Sequence, residues 1–435
     1  MKKKWMAVVL SVAMAATLLA GCGGSGGADA PAADSGESAS AESDGVQEIT
    51  WMFWDDLNAT EDLISKGYGD VIDRFNADYE GQYHVTAVTT NLEEYYPKLN
   101  ALVASNETPD VFIVSPGPNL EVYVEPGVAA PLDDYLADGW KDTFTSDAVF
   151  SQMTYDGKIY AIPLNIAAAC AFYNTEMFEA AGVEVPKTWD EMLDACEKLE
   201  AAGYTPITIS AGTAWCLSMV AGYLCEMEGV DLAALEDGSA SWEDGKVESA
   251  AAKLVELSRY FQKTAAGDTN DVATANFYNE EAAILIQGSW AIAQINGSNP
   301  DFESKCGVFQ FPGVDRVIAK SDSLAMSSST KYPEACIAFM KYFTDDTAQK
   351  YTAEIGGKIP VTSVEYDESV APAQLSYVMD VFSGAEGTFG FYNESMPSTD
   401  AGAYVDDTMV SVFLGDMTPA EAATDMETFY ADNCR

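Results

Sequence analysis

The run Glu48-Ile49-Thr50-Trp51-Met52-Phe53-Trp54 sets the fold. It is rich in β-branched and aromatic residues, too short for a helix, and closed by Asp55-Asp56, so it reads as a strand. Downstream, in residues 61–79, Leu63, Ile64, Val71, Ile72, Phe75 and Tyr79 fall near helical spacing. Tyr83-His84-Val85-Thr86-Ala87-Val88 alternates like a second strand, and residues 93–105 read as a second helix. Thr108-Pro109-Asp110 breaks that helix before the short apolar strand Val111-Phe112-Ile113-Val114. The succession β-α-β-α-β belongs to an α/β protein with a parallel sheet.

The same grammar continues to the end of the chain. Strands are expected at 159–163, 171–173, 205–209, 282–286 and 307–311. Thr188 and Glu191 form a capping box ahead of Met192, Leu193, Cys196 and Leu199. Residues 333–343 predict a helix with Cys336, Ile337, Phe339, Met340 and Phe343 inward, and Thr418-Pro419-Ala420-Glu421 starts the last one.

Composition bounds the function. The 435 residues are 48% hydrophobic, which supports two or three domains with sizeable cores. Sixty-nine acids against 22 bases, a formal net charge of −47, argue against nucleic-acid binding and against docking on anionic lipid. The single histidine, His84, lies in a strand-like run, so a multi-histidine metal site is excluded and a histidine triad is disfavoured. No metal and no cofactor is expected. The chain lacks a G-x-S-x-G elbow, a P-loop, H-E-x-x-H and an EF-hand loop. Acid pairs such as Asp133-Asp134 are too common here to mark a glycosidase.

The N-terminus reads as an address. Lys2, Lys3 and Lys4 precede an apolar stretch at 5–19, shorter than the roughly 20 residues of a membrane span and suited to a signal peptide. It ends in Leu19-Ala20-Gly21-Cys22, which resembles a bacterial lipobox with Cys22 as the lipidated residue. Residues 23–45, made of Gly, Ser, Ala and acids, form a tether with a reach of roughly 25 Å. Removal of residues 1–21 leaves 19 bases. The seven remaining cysteines do not form a disulfide framework. Cys196 and Cys336 read as buried thiols, and a Cys216–Cys225 bridge is conceivable from spacing alone.

Aromatic residues recur where strands end: Trp54 beside Asp55, Trp215 after the strand at 207–210, Trp290 after 282–286, and Tyr392 in Gly390-Phe391-Tyr392-Asn393-Glu394. Open α/β sheets bind ligands beyond the carboxyl ends of their strands. Flat aromatic faces there suit sugar rings, and Asp, Asn and Glu suit hydroxyls.

Several motifs occur in a telling order: Asn106-Glu107-Thr108-Pro109-Asp110-Val111-Phe112, Gly157-Lys158-Ile159-Tyr160-Ala161-Ile162-Pro163, Ala171-Phe172-Tyr173-Asn174, Pro186-Lys187-Thr188-Trp189-Asp190-Glu191, Gly288-Ser289-Trp290 and Gly356-Gly357-Lys358-Ile359-Pro360-Val361. With the lipobox and tether, they resemble the family 1 extracellular solute-binding proteins of ABC transporters, the maltose- and multiple-sugar-binding type, over about 46–435. The resemblance implies a type II periplasmic-binding-protein-like fold: two lobes, each a mostly parallel sheet flanked by helices, with a cleft between. It implies an N-lobe of 46–164 and 313–346, a C-lobe of 165–312 and 347–435, and a hinge near Pro163, Pro312 and Asp345. The implied function is non-enzymatic: a lipid-anchored monomer outside the cytoplasmic membrane holds a carbohydrate, by its loop aromatics an oligosaccharide, for an ABC permease.

Residue by residue, the resemblance makes Trp290 an aromatic platform in a Gly-x-Trp motif and Trp215 a second stacking residue. Trp54, Asp55 and Asp56 close the first strand, Asn91 follows the second, and Ser115 and Asn119 follow the third. Asn165 lies past the hinge proline, and Tyr392, Asn393 and Tyr404 lie in the segment that closes over the sugar. Two departures leave the sugar open: Lys320-Ser321-Asp322-Ser323 stands where a Gly-Gly turn is usual, and Ala167-Ala168-Ala169-Cys170 is small and apolar. The alternatives are a polyamine receptor of the same fold, a surface glycoside hydrolase, and a receptor that also reports to a membrane sensor. An anion receptor is disfavoured by the scarcity of bases.

Overall fold

Strand β1 (Gln47–Phe53) forms from the opening run and pairs in parallel with β2 (Tyr83–Thr89) on one side and β3 (Val111–Val114) on the other. This computed structural model describes residues 45–58, 63–236 and 238–434; the expected leader 1–21, Cys22 and the tether to residue 44 lie outside them. The helices Leu63–Asp78 and Leu92–Ala104 make the crossovers between these strands. A small hairpin of β4 (Thr154–Tyr155) and β5 (Lys158–Ile159) leads into β6 (Ala161–Pro163). The chain then builds a second sheet from β7 (Ala167–Asn174), β8 (Thr205–Thr208), β9 (Ala282–Gly288), β10 (Cys306–Phe309) and β11 (Arg316–Lys320). Strand β12 (Ser323–Met326) returns to the first sheet, and β13 (Gly387–Phe389) adds to the second. The orders are β2-β1-β3-β12-β6 and β13-β11-β7-β9-β8, with β10 also on β7.

The two-lobed α/β architecture is thus present, but the strand directions are mixed rather than mostly parallel. Strand β12 runs antiparallel to β3 and β6, and β7 runs antiparallel to β9, β10 and β11. The reason is connectivity. Strand β12 enters the first sheet directly from β11, with only Ser321 and Asp322 between them, so no helical crossover sets its direction.

Each sheet has its own core. In the first, fully buried Trp51 packs against Phe53, Tyr68, Phe339 and Phe343. All five residues expected inward on the helix Pro333–Phe343 are buried. In the second, β7 is covered on both faces, which explains its unbroken apolar run. Ala169 and Ala171 face the cluster of Tyr223, Ile207 and Ile284, while Ala168, Cys170 and Phe172 face Phe277, Leu285 and Val317. Small side chains at 167–170 therefore belong to packing. Cys196 and Cys336 are buried thiols, and Cys216 and Cys225 are both unbridged. His84 sits on β2 beside Glu48, its Nδ1 2.8 Å from Oε2.

The crossings between sheets fall differently from the expectation at 312–313. Residues 316–320 pair with β7 and β13, so that passage lies at Ser321-Asp322. The passage after β6 runs through residues 164–166, close to the expected Pro163. Asp345 caps the helix Asp346–Glu354 and pairs with Arg74 at 2.5 Å, on the first lobe. That helix packs on Leu63–Asp78, and Val361 still belongs to the first core, whereas the helix Ala373–Gly384 packs on β7 and β10. The last passage therefore lies between 361 and 373, not at 345.

Candidate functional site

Three aromatic rings from distant parts of the chain meet in the second lobe. Trp215 is in the first turn of the helix Ala214–Met227, Trp290 follows β9, and Phe391 follows β13. Their ring centroids lie 5.9 Å apart for Trp215–Trp290, 6.0 Å for Trp215–Phe391 and 5.9 Å for Trp290–Phe391. Trp215 and Trp290 are only partly buried. The two tryptophans stand out in the sequence; Phe391 does not, because its neighbour Tyr392 carries the same kind of signal.

The strand end holds Trp290 in place. Its Nε1 donates to Gln287 Oε1 at 2.8 Å, and the Gln287 amide donates in turn to Asn270 Oδ1. The backbone N–H of Asn270 donates to Thr213 Oγ1 at 3.1 Å, two residues before Trp215. Ser289 fixes the turn: its N–H donates to the Ala168 carbonyl, and its Oγ accepts from the Ala168 N–H at 3.2 Å. Gly288 explains the Gly-x-Trp spacing. A Cβ at position 288 would lie 2.2 Å from Trp290 Cζ3, inside any permitted contact, so the ring can lie over the strand only above a glycine. Gly288→Ala should therefore tilt Trp290 away and weaken binding of any stacking ligand at least about tenfold, because relieving that overlap displaces the indole by about 1 Å. Titration of ligand with tryptophan emission checks this; unchanged affinity would contradict it.

Lys320, at the end of β11, lies over the same rings, with Nζ 5.7 Å from the Trp290 centroid and 5.6 Å from that of Phe391. Two residues on, Asp322 is buried at the crossing and accepts from Lys358 Nζ at 3.0 Å and from Asn165 Nδ2 at 3.2 Å. Burial alone would raise this carboxyl, but attraction to Lys358, and then to Lys320, outweighs it and draws the pKa down to about 2.

The first lobe brings its own aromatic rim to this junction. Trp54 packs edge-on against Tyr95 at 5.3 Å and lies 6.4 Å from Tyr96. The Ser115 N–H donates to the Tyr96 hydroxyl at 3.0 Å. Burial raises the Tyr96 phenol, and the nearby charges of Glu394 and Asp322 add to that rise. The helix Pro118–Val124, which carries Asn119, packs against the turn Asn393–Ser395. Trp215, Trp290, Phe391 and Lys320 thus meet in the second lobe, Trp54 and Ser115 meet Tyr96 in the first, and Asn119 lies on the helix that packs against the turn after Phe391; the spacing of the sequence did not mark Tyr96, Phe391 or Lys320.

Other expected residues do different work. Asp56 donates its N–H to Asp55 Oδ1 and accepts at Oδ1 from the Asn58 N–H, so the pair shapes the turn after β1. Asn91 is exposed and caps the helix Leu92–Ala104 by accepting from the Glu94 N–H at 2.9 Å. Asn165 is fully buried and donates to Tyr68 as well as Asp322, which makes it part of the crossing rather than of a ligand surface. Tyr392 is a core residue, 5% exposed, with its hydroxyl donating to the Val230 carbonyl. Asn393 turns inward and donates to Asp406 Oδ2 at 3.1 Å; burial, ahead of the nearby acids, pushes the Asp406 carboxyl up to about 6.

Tyr404 is turned toward the last helix. It stacks on Phe429 at 3.8 Å, and its hydroxyl donates to Asp425. Tyr404→Phe should lower stability by about 1 kcal/mol through the lost hydrogen bond and leave ligand affinity unchanged. Urea unfolding beside a binding titration checks both; a change in affinity would return Tyr404 to the site.

Comparison with known proteins places these features in context. The family profile described as bacterial extracellular solute-binding protein matches residues 70–375. The multiple sugar-binding protein of Streptococcus mutans is 30% identical over 230 residues, 49% of this chain and 54% of that protein. The chain therefore matches only about half the length of that curated relative. Among solved structures, one reported with xylan utilization by the thermophilic bacterium Caldanaerobius polysaccharolyticus superposes with a TM-score of 0.81 at 25% identity, covering 88% of this chain and 99% of that one. A chitin oligosaccharide binding protein gives a TM-score of 0.81 at 24% identity, covering 89% and 98%.

Proposed function

The chain belongs to the bacterial extracellular solute-binding protein family, and from that premise we propose that it is the carbohydrate receptor of an ABC importer. The observation that carries the reading is the platform of Trp215, Trp290 and Phe391, with Trp290 held by the Gln287–Asn270 relay. A pyranose ring stacks its C–H face on such rings while first-lobe groups near Trp54, Ser115 and Tyr96 reach its hydroxyls. An oligosaccharide that touches both lobes favours the closed state, and the closed state is what a permease recognises. No covalent step is needed. Lipidation at Cys22 and a flexible tether would keep the receptor at the outer face of the membrane, as a monomer. The presence of Lys320 over the rings weighs against a polyamine, whose ammonium groups would need that position themselves.

The test is thermal melting of residues 46–435 against a panel of neutral and acidic oligosaccharides plus spermidine. A ligand at 100 times its Kd stabilises by about 2.7 kcal/mol, a readable shift. A shift with one group of sugars supports the reading. A shift with spermidine alone would move the ligand to polyamines, and no shift with any sugar would overturn the carbohydrate assignment.

A further inference from the structure

The position of Lys320 poses a chemical question that the carbohydrate reading leaves open. Its ammonium lies over the faces of Trp290 and Phe391, where a sugar would stack. Among the described residues no carboxylate oxygen lies within 4.0 Å of it. The carboxylate that follows in sequence, Asp322, already accepts from Lys358 Nζ at 3.0 Å and from Asn165. Asp322 does feel Lys320 as a second, weaker attraction, so the two are neighbours without being a bonded pair. At the crossing the buried Asp322 is thus matched by Lys358, while the Lys320 ammonium, with no carboxylate partner of its own among the described residues, faces the platform. A site built only for neutral rings gains nothing from an ammonium that must be displaced before stacking.

We propose that Lys320 is a specificity-determining residue and that the solute carries a carboxylate: an oligosaccharide containing a uronic acid, seated on Trp290 and Phe391 with its carboxylate on the Lys320 ammonium. The inference rests on the carbohydrate reading and names the substrate class of the same site. The chain's excess of acid does not oppose it. Surface charges more than a Debye length away, roughly 8 Å at physiological ionic strength, are screened, whereas an ion pair on a partly buried platform is screened far less. The scarcity of bases, which disfavours an anion receptor on composition alone, is answered by the placement of one. Lysine suits this role as a compact charge on a flexible stem that can swing from the ring faces to a carboxylate.

Calorimetric titration with matched pairs tests the proposal: xylotriose against glucuronosyl-xylotriose, and tetragalacturonate against its methyl ester, which keeps the shape and removes the charge. The expected result is an acidic member bound at least about tenfold tighter than its neutral match, as a charge-assisted hydrogen bond allows. Lys320→Met should erase that preference by weakening the acidic member to the level of its neutral match, and Lys320→Arg should restore most of it. Lys320 is partly exposed, so the variant should fold without a core defect, and an unchanged melting temperature checks that. Equal or tighter binding of neutral members, unaltered in Lys320→Met, would overturn the inference and leave the carbohydrate reading standing. Binding of no member of either pair beside a melting shift with another, neutral sugar would overturn the inference alone, and no shift with any sugar would overturn both.

Discussion

Trp290→Ala should weaken oligosaccharide binding by about two orders of magnitude while moving the melting temperature by only a few degrees. A sugar ring on an indole face removes on the order of 100 Å² of apolar surface from water, which at about 25 cal/mol per Å² amounts to about 2.5 kcal/mol. At 1.4 kcal/mol per tenfold, that is close to a hundredfold in Kd. The fold does not depend on the ring to the same extent, because Trp290 is partly exposed and lies against both cores of the second lobe rather than inside either. Trp290→Phe keeps a flat face over Gly288 but loses the bond to Gln287, so it should recover part of the affinity. Calorimetry on the three proteins checks the series, and wild-type affinity in Trp290→Ala would remove the platform from the account.

Lys358→Met should produce the largest loss of stability outside the aromatic cores, about 3–5 kcal/mol at neutral pH. The reason is the asymmetry of buried ion pairs: the pair itself adds little, but removal of one partner strands a charge without water. Lys358 and Asp322 have side chains only 6% and 10% exposed, and they join the segment after the helix Asp346–Glu354 to the crossing between β11 and β12. Replacing both partners, as in Lys358→Met with Asp322→Leu, should recover much of the loss. The pH dependence carries a sign. The folded-state pKa of Asp322, about 2, lies below its unfolded value of about 3.9, so the stabilisation is complete above roughly pH 4 and is lost as pH falls toward 2. The gap between wild type and Lys358→Met should therefore narrow over that interval. Urea unfolding from pH 2 to pH 7 measures it, and a gap under 1 kcal/mol at pH 7 would show that the pair does not anchor the crossing.

Local signals were readable because they act over a few residues. The opening strand, the capping boxes at Thr188 and Thr418, and the inward face of the helix Pro333–Phe343 all form as expected. Strand direction was not readable, since an apolar run such as β7 looks the same whichever way its neighbours run, and burial on both faces removes the alternation that would orient it. The crossing at Ser321-Asp322 was hidden for a related reason: nothing in Arg316-Val317-Ile318-Ala319-Lys320 says which of two sheets it joins.

The site divides in the same way. Trp290 could be found because Gly288 and Trp290 are constrained together within one turn. Phe391 and Lys320 could not, since their roles depend on meeting Trp290 from 101 and 30 residues away, a tertiary outcome. Tyr404 shows the converse case. A tyrosine near the C-terminus reads as a lid residue until the last helix supplies Phe429 and Asp425 as its partners. Asn165 shows it again, because a polar residue after the hinge proline suits a ligand or a crossing equally, and buried Asp322 decides for the crossing.

The most direct test is the crystal structure of residues 46–435 with the oligosaccharide that gives the largest melting shift. The account predicts one sugar ring parallel to the Trp290 indole, with Phe391 and Trp215 at its edges and groups near Trp54 and Ser115 bonded to its hydroxyls. A sugar bound elsewhere, with the Trp215–Trp290–Phe391 faces uncovered, would contradict it.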